Sequence, residues 1–359
     1  VAQHEEARRE EASRGDASSH PPPINPGSIT PRFLIILTLV LLALLGGSVL
    51  SAYLHVQSRT RKDRKLRVAE VERLIASHLH EDFVILNTAL VAMSQDDRLR
   101  AALEARRREV LLERTKALFR RLHNDAEVSH LYFTGPDRVN LLRVHKPDRH
   151  GDVIDRFTTR EAERTRRPAH GVELGPLGTM TQRVVHPWFE GERLIGFVEL
   201  GHEIGHMTQL MGRTMNVGVW TLIRKAFLER RDWETGMRML ERRAKWDQFP
   251  DAVAINEAPP GVTSDVVRRL ADGGLENAPR DLEVRSSGRD YYLAFLPLTD
   301  AAGRDVGRRV VVWDVTDTTR AAVRLVLSVA VIGFAVCGLL FVLGYFCIGR
   351  AGRRPGRDG

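Results

Sequence analysis

His202-Glu203-Ile204-Gly205-His206 has the most direct chemical meaning of any string in this chain, because it matches H-E-x-x-H. On a helix the two histidines would fall four residues apart on one face and hold zinc, leaving Glu203 as general base. That reading makes the chain a zinc metallopeptidase. Two features oppose it. Gly196-Phe197-Val198-Glu199-Leu200-Gly201 reads as a strand running straight into the motif, and Gly205 weakens a helix at its centre. No third ligand with recognisable spacing follows. A strand-to-linker-helix junction accounts for the same residues, so no metal is expected, and His202, Glu203 and His206 stay as the alternative ligand set.

A pocket is the better candidate. Side chains alternate across a strand, so Arg143 and His145 share one face, as His130 and Tyr132 do on the preceding strand. Arg183 and Glu199 are polar residues inside otherwise apolar strands. If Tyr132, Arg143, His145, Arg183 and Glu199 converge, they form a small cavity with two guanidinium groups and Trp188 as an apolar wall. Guanidiniums grip a carboxylate by charge-assisted, bidentate contacts. Glu199 would receive an amino group, so an amino acid or small carboxylate fits better than a bare phosphate. The plainer structural alternative is an internal Arg143–Glu199 ion pair with Trp188 in the core. His145 and His186 read as hydrogen-bonded structural residues rather than metal ligands.

Other chemistry is thinly represented. No G-x-x-x-x-G-K-[ST], G-x-G-x-x-G or G-x-S-x-G string occurs, and no kinase or cyclase signature, so no cofactor is expected and the chain reads as a non-enzyme. Both cysteines, Cys337 and Cys347, lie in one apolar run, which excludes thiolate catalysis elsewhere. The formal net charge is +8, but its charges are mixed in sign, as in Arg160, Glu161, Glu163 and Arg164. No basic stripe interleaved with aromatics appears, and nucleic acid is not an expected partner.

The elements that must position the pocket lie between two uncharged apolar runs, Phe33–Leu54 and Leu325–Ile348. Each would reach roughly 33–36 Å as a helix, enough to cross a hydrocarbon core of about 30 Å. Residues 1–32 read as a disordered cytoplasmic tail, 33–54 and 325–348 as transmembrane helices, 55–320 as a folded module, and 349–359 as a basic cytoplasmic tail. Apolar residues at Val71, Ile75, Leu79, Phe83, Leu86, Leu90 and Met93 step by three and four, the mark of an amphipathic helix. With a second stretch from about Leu99 to Leu122 they make stalk helices over 66–122. That stripe is expected to form a homodimer, or to pack on the chain's own sheet.

Beyond the stalk the period changes to strands. Five are expected in a distal lobe, 123–204, with a short helix near Thr158–Arg166. Four more, near Asn216–Ile223 and at LEVRS, DYYLAFLPL and GRRVVVWDV, are expected in a membrane-proximal lobe, 214–316, with an Arg/Glu-rich insert around Lys225–Lys245 and a stretch of no assigned type, DAVAINEA, after it. The fold class is α+β: two tandem lobes with antiparallel sheets on a long stalk helix, flanked by two transmembrane helices. Charge does not settle orientation. Arg59, Arg61, Lys62, Arg64, Lys65 and Arg67 crowd the module side of the first run, whereas Arg350, Arg353, Arg354 and Arg357 follow the second.

The stretch His130–Ile204 resembles the first lobe of double Cache sensory domains. The matching residues are Leu131-Tyr132-Phe133, Asn140 to Pro147, Gly151-Asp152 with Arg156-Phe157-Thr158, Gly171 to Gly178, Arg183 to Trp188, and Gly196 to Gly201. It looks closest to the double sensory domain of two-component kinases. The resemblance implies that the two lobes are PAS-like and form an extracytoplasmic, here periplasmic, module in a bacterial inner membrane. Such a module binds a small molecule and signals to a cytoplasmic kinase or cyclase output. The chain ends about ten residues after the second run, so it is expected either to be a fragment of a longer receptor or to work with a separate output protein.

Overall fold

Helix α1 (Ile29–Ser94) is continuous through both the first apolar run and the stalk stripe, since no proline interrupts it after Pro31 and Gly46-Gly47 does not break it. The computed structural model describes residues 29–351, apart from the side chains of 29–31, His206, Gln209 and 347–351. The expected tail at 1–32 therefore lies outside the described residues for positions 1–28, as does the C-terminal tail for 352–359. The described chain divides into two compact units, one of residues up to Arg59 together with those from Ala321, the other Thr60–Arg320.

In the first unit, the start of α1 packs against α8 (Thr316–Ala351) through small residues. A Cβ added at Gly333 would sit 2.4 Å from Leu45 Cδ1, and one at Gly344 would sit 2.9 Å from Leu37 Cδ2. Close approach at small side chains is how helices associate where no hydrophobic effect drives them together. Phe33, Ile36, Leu39, Val331, Phe334 and Phe346 stay exposed, so these helices are not the core of a soluble domain. Both are long and apolar enough to cross a membrane.

The second unit holds two sheets of the same plan. Strands β1 (Val128–Thr134), β2 (Asn140–Arg143), β3 (Ala169–Leu174), β4 (Met180–Glu190) and β5 (Arg193–Glu203) run in the order β2-β1-β5-β4-β3. Strands β6 (Gly218–Arg224), β7 (Ala252–Ala254), β8 (Asp281–Ser286), β9 (Arg289–Thr299) and β10 (Asp305–Asp314) run β7-β6-β10-β9-β8. Every pairing is antiparallel. All nine expected strands form, β7 arises within the unassigned DAVAINEA, and the fold is α+β with two five-stranded lobes.

Hydrophobic burial orders each sheet. One face of the first carries Leu131, Phe133, Leu142, Val184, Val198 and Leu200 against Leu86, Leu90 and Met93 of α1, Leu103 of α2 (Asp97–Glu104) and Leu111 of α3 (Arg108–Ala126). In the second sheet, Val311, Trp313 and Val219 meet Val71 and Ile75 of α1 and Met207 and Met211 of α5 (His206–Met215). Its other face packs on α7 (Ser264–Gly273) through Val266 and Leu270. Of the expected stripe, Val71, Ile75, Leu86, Leu90 and Met93 are thus consumed inside the chain; Val84, Ile85 and Val91 remain exposed on the stalk.

Two helices differ from expectation. The stretch Leu99–Leu122 is split at Ala105–Arg107, where Arg106 takes a left-handed φ of 52° and pairs with Asp137 at 2.7 Å. Asp96 starts the first piece by accepting the Arg98 and Leu99 amides, each at 3.0 Å, as an N-cap. The insert forms α6 (Arg230–Met239), which wedges between the lobes. Gly236 and Gly178 let it approach: an added Cβ would sit 2.3 Å from the Leu177 carbonyl oxygen at Gly236 and 2.5 Å from Trp233 at Gly178.

Candidate functional site

The register of the first sheet brings most of the expected pocket residues together. Tyr132 on β1 lies opposite Arg143 on β2 and Glu199 on β5, while Gly201 on β5 lies opposite His130 and Arg183. Strand alternation therefore puts His130, Tyr132, Arg143, Arg183 and Glu199 on the face away from the stalk. His145, just past β2, joins them with its ring 4.8 Å from His130 and 5.3 Å from Tyr132. His130, Tyr132, Arg143, His145 and Arg183 border a cavity of about 380 Å³ closed by the 146–156 loop and the Gly175–Leu177 turn, whereas Glu199 shares their face without lining it.

Trp188 is not among them. It sits on the opposite face in the core, edge-on to Phe133 with ring centroids 6.3 Å apart. The reason is parity, since position 188 is an odd step from 183 on the same strand. The apolar wall is Tyr132 instead, with the Arg143 guanidinium 5.1 Å and that of Arg156 4.8 Å from its ring centre.

The charges pair differently from the Arg143–Glu199 alternative. Arg143 grips Asp152 in bidentate fashion, Nη1 to Oδ1 at 2.6 Å and Nη2 to Oδ2 at 2.7 Å, and Nη1 also donates to the Arg149 carbonyl at 2.8 Å. Glu199 is buried and accepts from Arg183 Nη1 at 2.5 Å and from Arg156 Nη1 at 2.6 and 2.9 Å. Glu173 closes the group, accepting the Thr158 amide at 2.7 Å with its other oxygen 3.4 Å from Arg183 Nε. Thr158 lies in the first turn of α4 (Phe157–Thr165), where a carboxylate is favoured by the helix dipole. Arg156 and Glu173 were not among the sequence-level candidates. For Glu173 the inward parity of β3 was a usable signal, whereas no local signal marks Arg156, whose partner is 43 positions away.

Burial sets the protonation of the site. His130 is held neutral, its pKa lowered to about 2 first by burial and then by the charges of Arg183, His145, Arg156 and Arg143. His145 is lowered to about 4 by burial and by Arg143. Burial pushes the Glu173 carboxyl up, against the pull of Arg183. For Arg143, burial disfavours the cation, yet the bonds to Asp152 and Tyr132 raise it overall.

The H-E-x-x-H string does not lie on a helix. His202 and Glu203 end β5, Ile204 and Gly205 form the turn, and His206 begins α5. Adjacent strand residues face opposite ways. His202 turns to the stalk, with Nδ1 3.5 Å from Asp82, whereas Glu203 borders the cavity. The zinc geometry that needs both histidines on one helical face is absent; the His206 side chain lies outside the described residues. Among the described residues no cluster of three metal-ligating side chains occurs.

Residues 75–225 match the family model dCache_3, the double sensory domain of two-component sensor kinase. No curated protein matches the chain. Among solved structures, the sensor domain of the V. cholerae histidine kinase DctB is 11% identical, with 70% of this chain and 95% of that one covered at a TM-score of 0.39. The ligand-binding domain of Mlp24 with asparagine is 12% identical, with 76% and 99% covered and a TM-score of 0.38. The ligand-binding domain of the Campylobacter jejuni chemoreceptor Tlp3, in complex with 4-methylisoleucine, is 10% identical, with 79% and 94% covered and a TM-score of 0.29. The matched stretch, 75–225, carries the first sheet and its pocket.

Proposed function

We propose that this chain is the sensory module of a bacterial membrane receptor that binds a small amino acid or carboxylate in the distal pocket. In this reading residues 33–54 and 325–348 cross the inner membrane, and 55–320 lies in the periplasm. The signal passes to a kinase or cyclase output. The matched family is sensory rather than catalytic. The observation that carries the ligand class is a cavity whose rim offers Arg143, Lys146 and Arg156 beside Asp152 and Asp155, with Tyr132 as a flat apolar wall. A zwitterion needs that pairing of fixed cations and anions on a neutral surface. The bidentate grip of Arg143 on Asp152 is the geometry a ligand carboxylate would take over. Ligand closure of the pocket would bias two packings of α1, which carries the core face of the same sheet.

The test is a thermal-shift screen of the full chain in mild detergent against carboxylates, amino acids, amines and sugars. Amino acids or carboxylates should raise the melting temperature, and Arg143→Ala should weaken the best of them about tenfold or more, the worth of a charge-assisted pair. Stabilisation by amines but not carboxylates would remove the assignment, as would unchanged affinity in Arg143→Ala.

The homodimer is proposed on the face that carries Val84, Ile85 and Val91, since the Val71–Met93 stripe is largely covered within the chain. Single cysteines at 84 or 91, in a background with Cys337→Ser and Cys347→Ser, should crosslink two copies, while one at buried Leu90 should not. A monomeric full chain in mild detergent would end the idea.

A further inference from the structure

A second cavity, of about 160 Å³, lies between the two lobes and is separate from the distal pocket. Glu203 and Thr179 line both, so they form the partition. Its walls are mostly apolar and come from four places: Ile75 of α1, Met180 of the first sheet, Met207 and Met211 of α5, and Leu240 beyond α6. Methionines are unbranched and polarisable, which lets them close on an irregular guest. Into this lining Arg309 projects from β10, on the sheet face it shares with buried Val311 and Trp313.

Arg309 is the unusual member. It makes no hydrogen bond or ion pair with any described residue, although buried guanidiniums elsewhere in the module are paired. Burial lowers its pKa, with only the charge of Glu72 acting the other way. Glu203 also faces the cavity, its carboxyl pushed towards the neutral form by burial, and two further polar groups are engaged. Asn256 accepts the Thr221 amide at 2.7 Å and donates to the Val219 carbonyl at 2.6 Å, and Arg242 Nη1 donates to the Ile255 carbonyl at 2.6 Å. Arg309 is half-buried among apolar side chains, and an anion that reaches it there is bound by a charge-assisted contact.

We infer that this inter-lobe cavity is a second ligand site, for a small monocarboxylate with a compact apolar body, its carboxylate on Arg309 and its body among the methionines. The volume sets the size: a cavity of about 150 Å³ lined by apolar side chains accommodates benzene. The site does not depend on what the distal pocket binds. Because Ile75 belongs to the stalk helix and Arg309 to the second sheet, occupancy would bear on both lobes and the stalk together.

The experiment titrates the full chain in detergent with benzoate and 3-methylbutanoate, and with their uncharged amides, by calorimetry. At least one acid is expected to bind and its amide to bind about tenfold more weakly or not at all. Arg309→Met should lose the acid by a similar factor, Arg309→Lys should keep part of it, and Arg143→Ala should leave it unchanged. Arg309→Met should also melt no lower than the parent chain, since no partner is lost. Binding of neither acid, equal binding of acid and amide, or undiminished binding in Arg309→Met would overturn the site. Binding unaffected by the Arg309 changes but lost in Arg143→Ala would move the acid to the distal pocket, and unfolding of both Arg309 variants would assign the guanidinium a structural role; either result overturns the inference.

Discussion

Glu199→Ala is expected to destabilise the module by about 3–5 kcal/mol, because it strands two guanidiniums around a buried position. Glu199 and Arg183 side chains are each 4% exposed and Arg156 is 21% exposed, so water cannot replace the lost carboxylate on either side of the site. The Arg183 guanidinium would retain only Glu173, whose carboxyl burial pushes towards its neutral form. Glu199→Gln keeps an acceptor but not the charge and should fall between the two. Removing Arg183 and Glu199 together, as Arg183→Met with Glu199→Leu, should cost less than Glu199→Ala alone, since both buried charges then go. Urea unfolding of the full chain measures each. A loss below about 1 kcal/mol for Glu199→Ala would mean the network is solvated and its pairing unimportant.

Acid should weaken the same lobe by about 2–4 kcal/mol between pH 7.5 and 5, through His130 and His145. Their ordinary pKa is 6.5, and in the folded state they are lowered to about 2 and about 4. Above pH 6.5 neither state binds the protons, so the contribution to stability is complete. As pH falls below 6.5 the unfolded chain takes up protons that the folded site refuses. Stability is then lost at up to about 1.4 kcal/mol per pH unit for each histidine, down to the folded-state values. The refusal has a structural cause: Arg143, Arg156 and Arg183 face the two rings, and Glu199, the nearby anion that favours a charged His145, is already shared between two arginines. His170 and His186, also lowered by burial, add to the slope. The double variant His130→Gln, His145→Gln should flatten the dependence, and equal slopes for parent and variant would assign the acid sensitivity to other groups.

Much of the site's layout was legible from residue type and parity. Tyr132, Arg143, His145, Arg183 and Glu199 do share one side of the first sheet, because alternation along a strand is a local property. Trp188 failed by the same rule, its odd step from Arg183 pointing it to the core. The pairing was less accessible. Asp152 takes Arg143 through a loop that folds back, and Arg156 reaches Glu199 from the start of α4, and neither contact leaves a periodic trace. Arg309 was passed over as one more strand arginine, although Val311 and Trp313 beside it already marked the inward parity.

By itself, then, the sequence determined the two apolar helices, the amphipathic stalk, nine of the ten strands and the face on which each charged strand residue lies. These follow from hydropathy and from periods of 3.6 and 2, which a chain expresses within a few residues. Only the tertiary structure decided which carboxylate each arginine holds, that the stalk stripe is largely spent on the chain's own sheets, that H-E-x-x-H straddles a strand end, and that a cavity separates the lobes. Those outcomes depend on distances between segments tens of residues apart. Such distances are set by how sheets, helices and loops close over one another, and residue type and spacing carry no record of that closure.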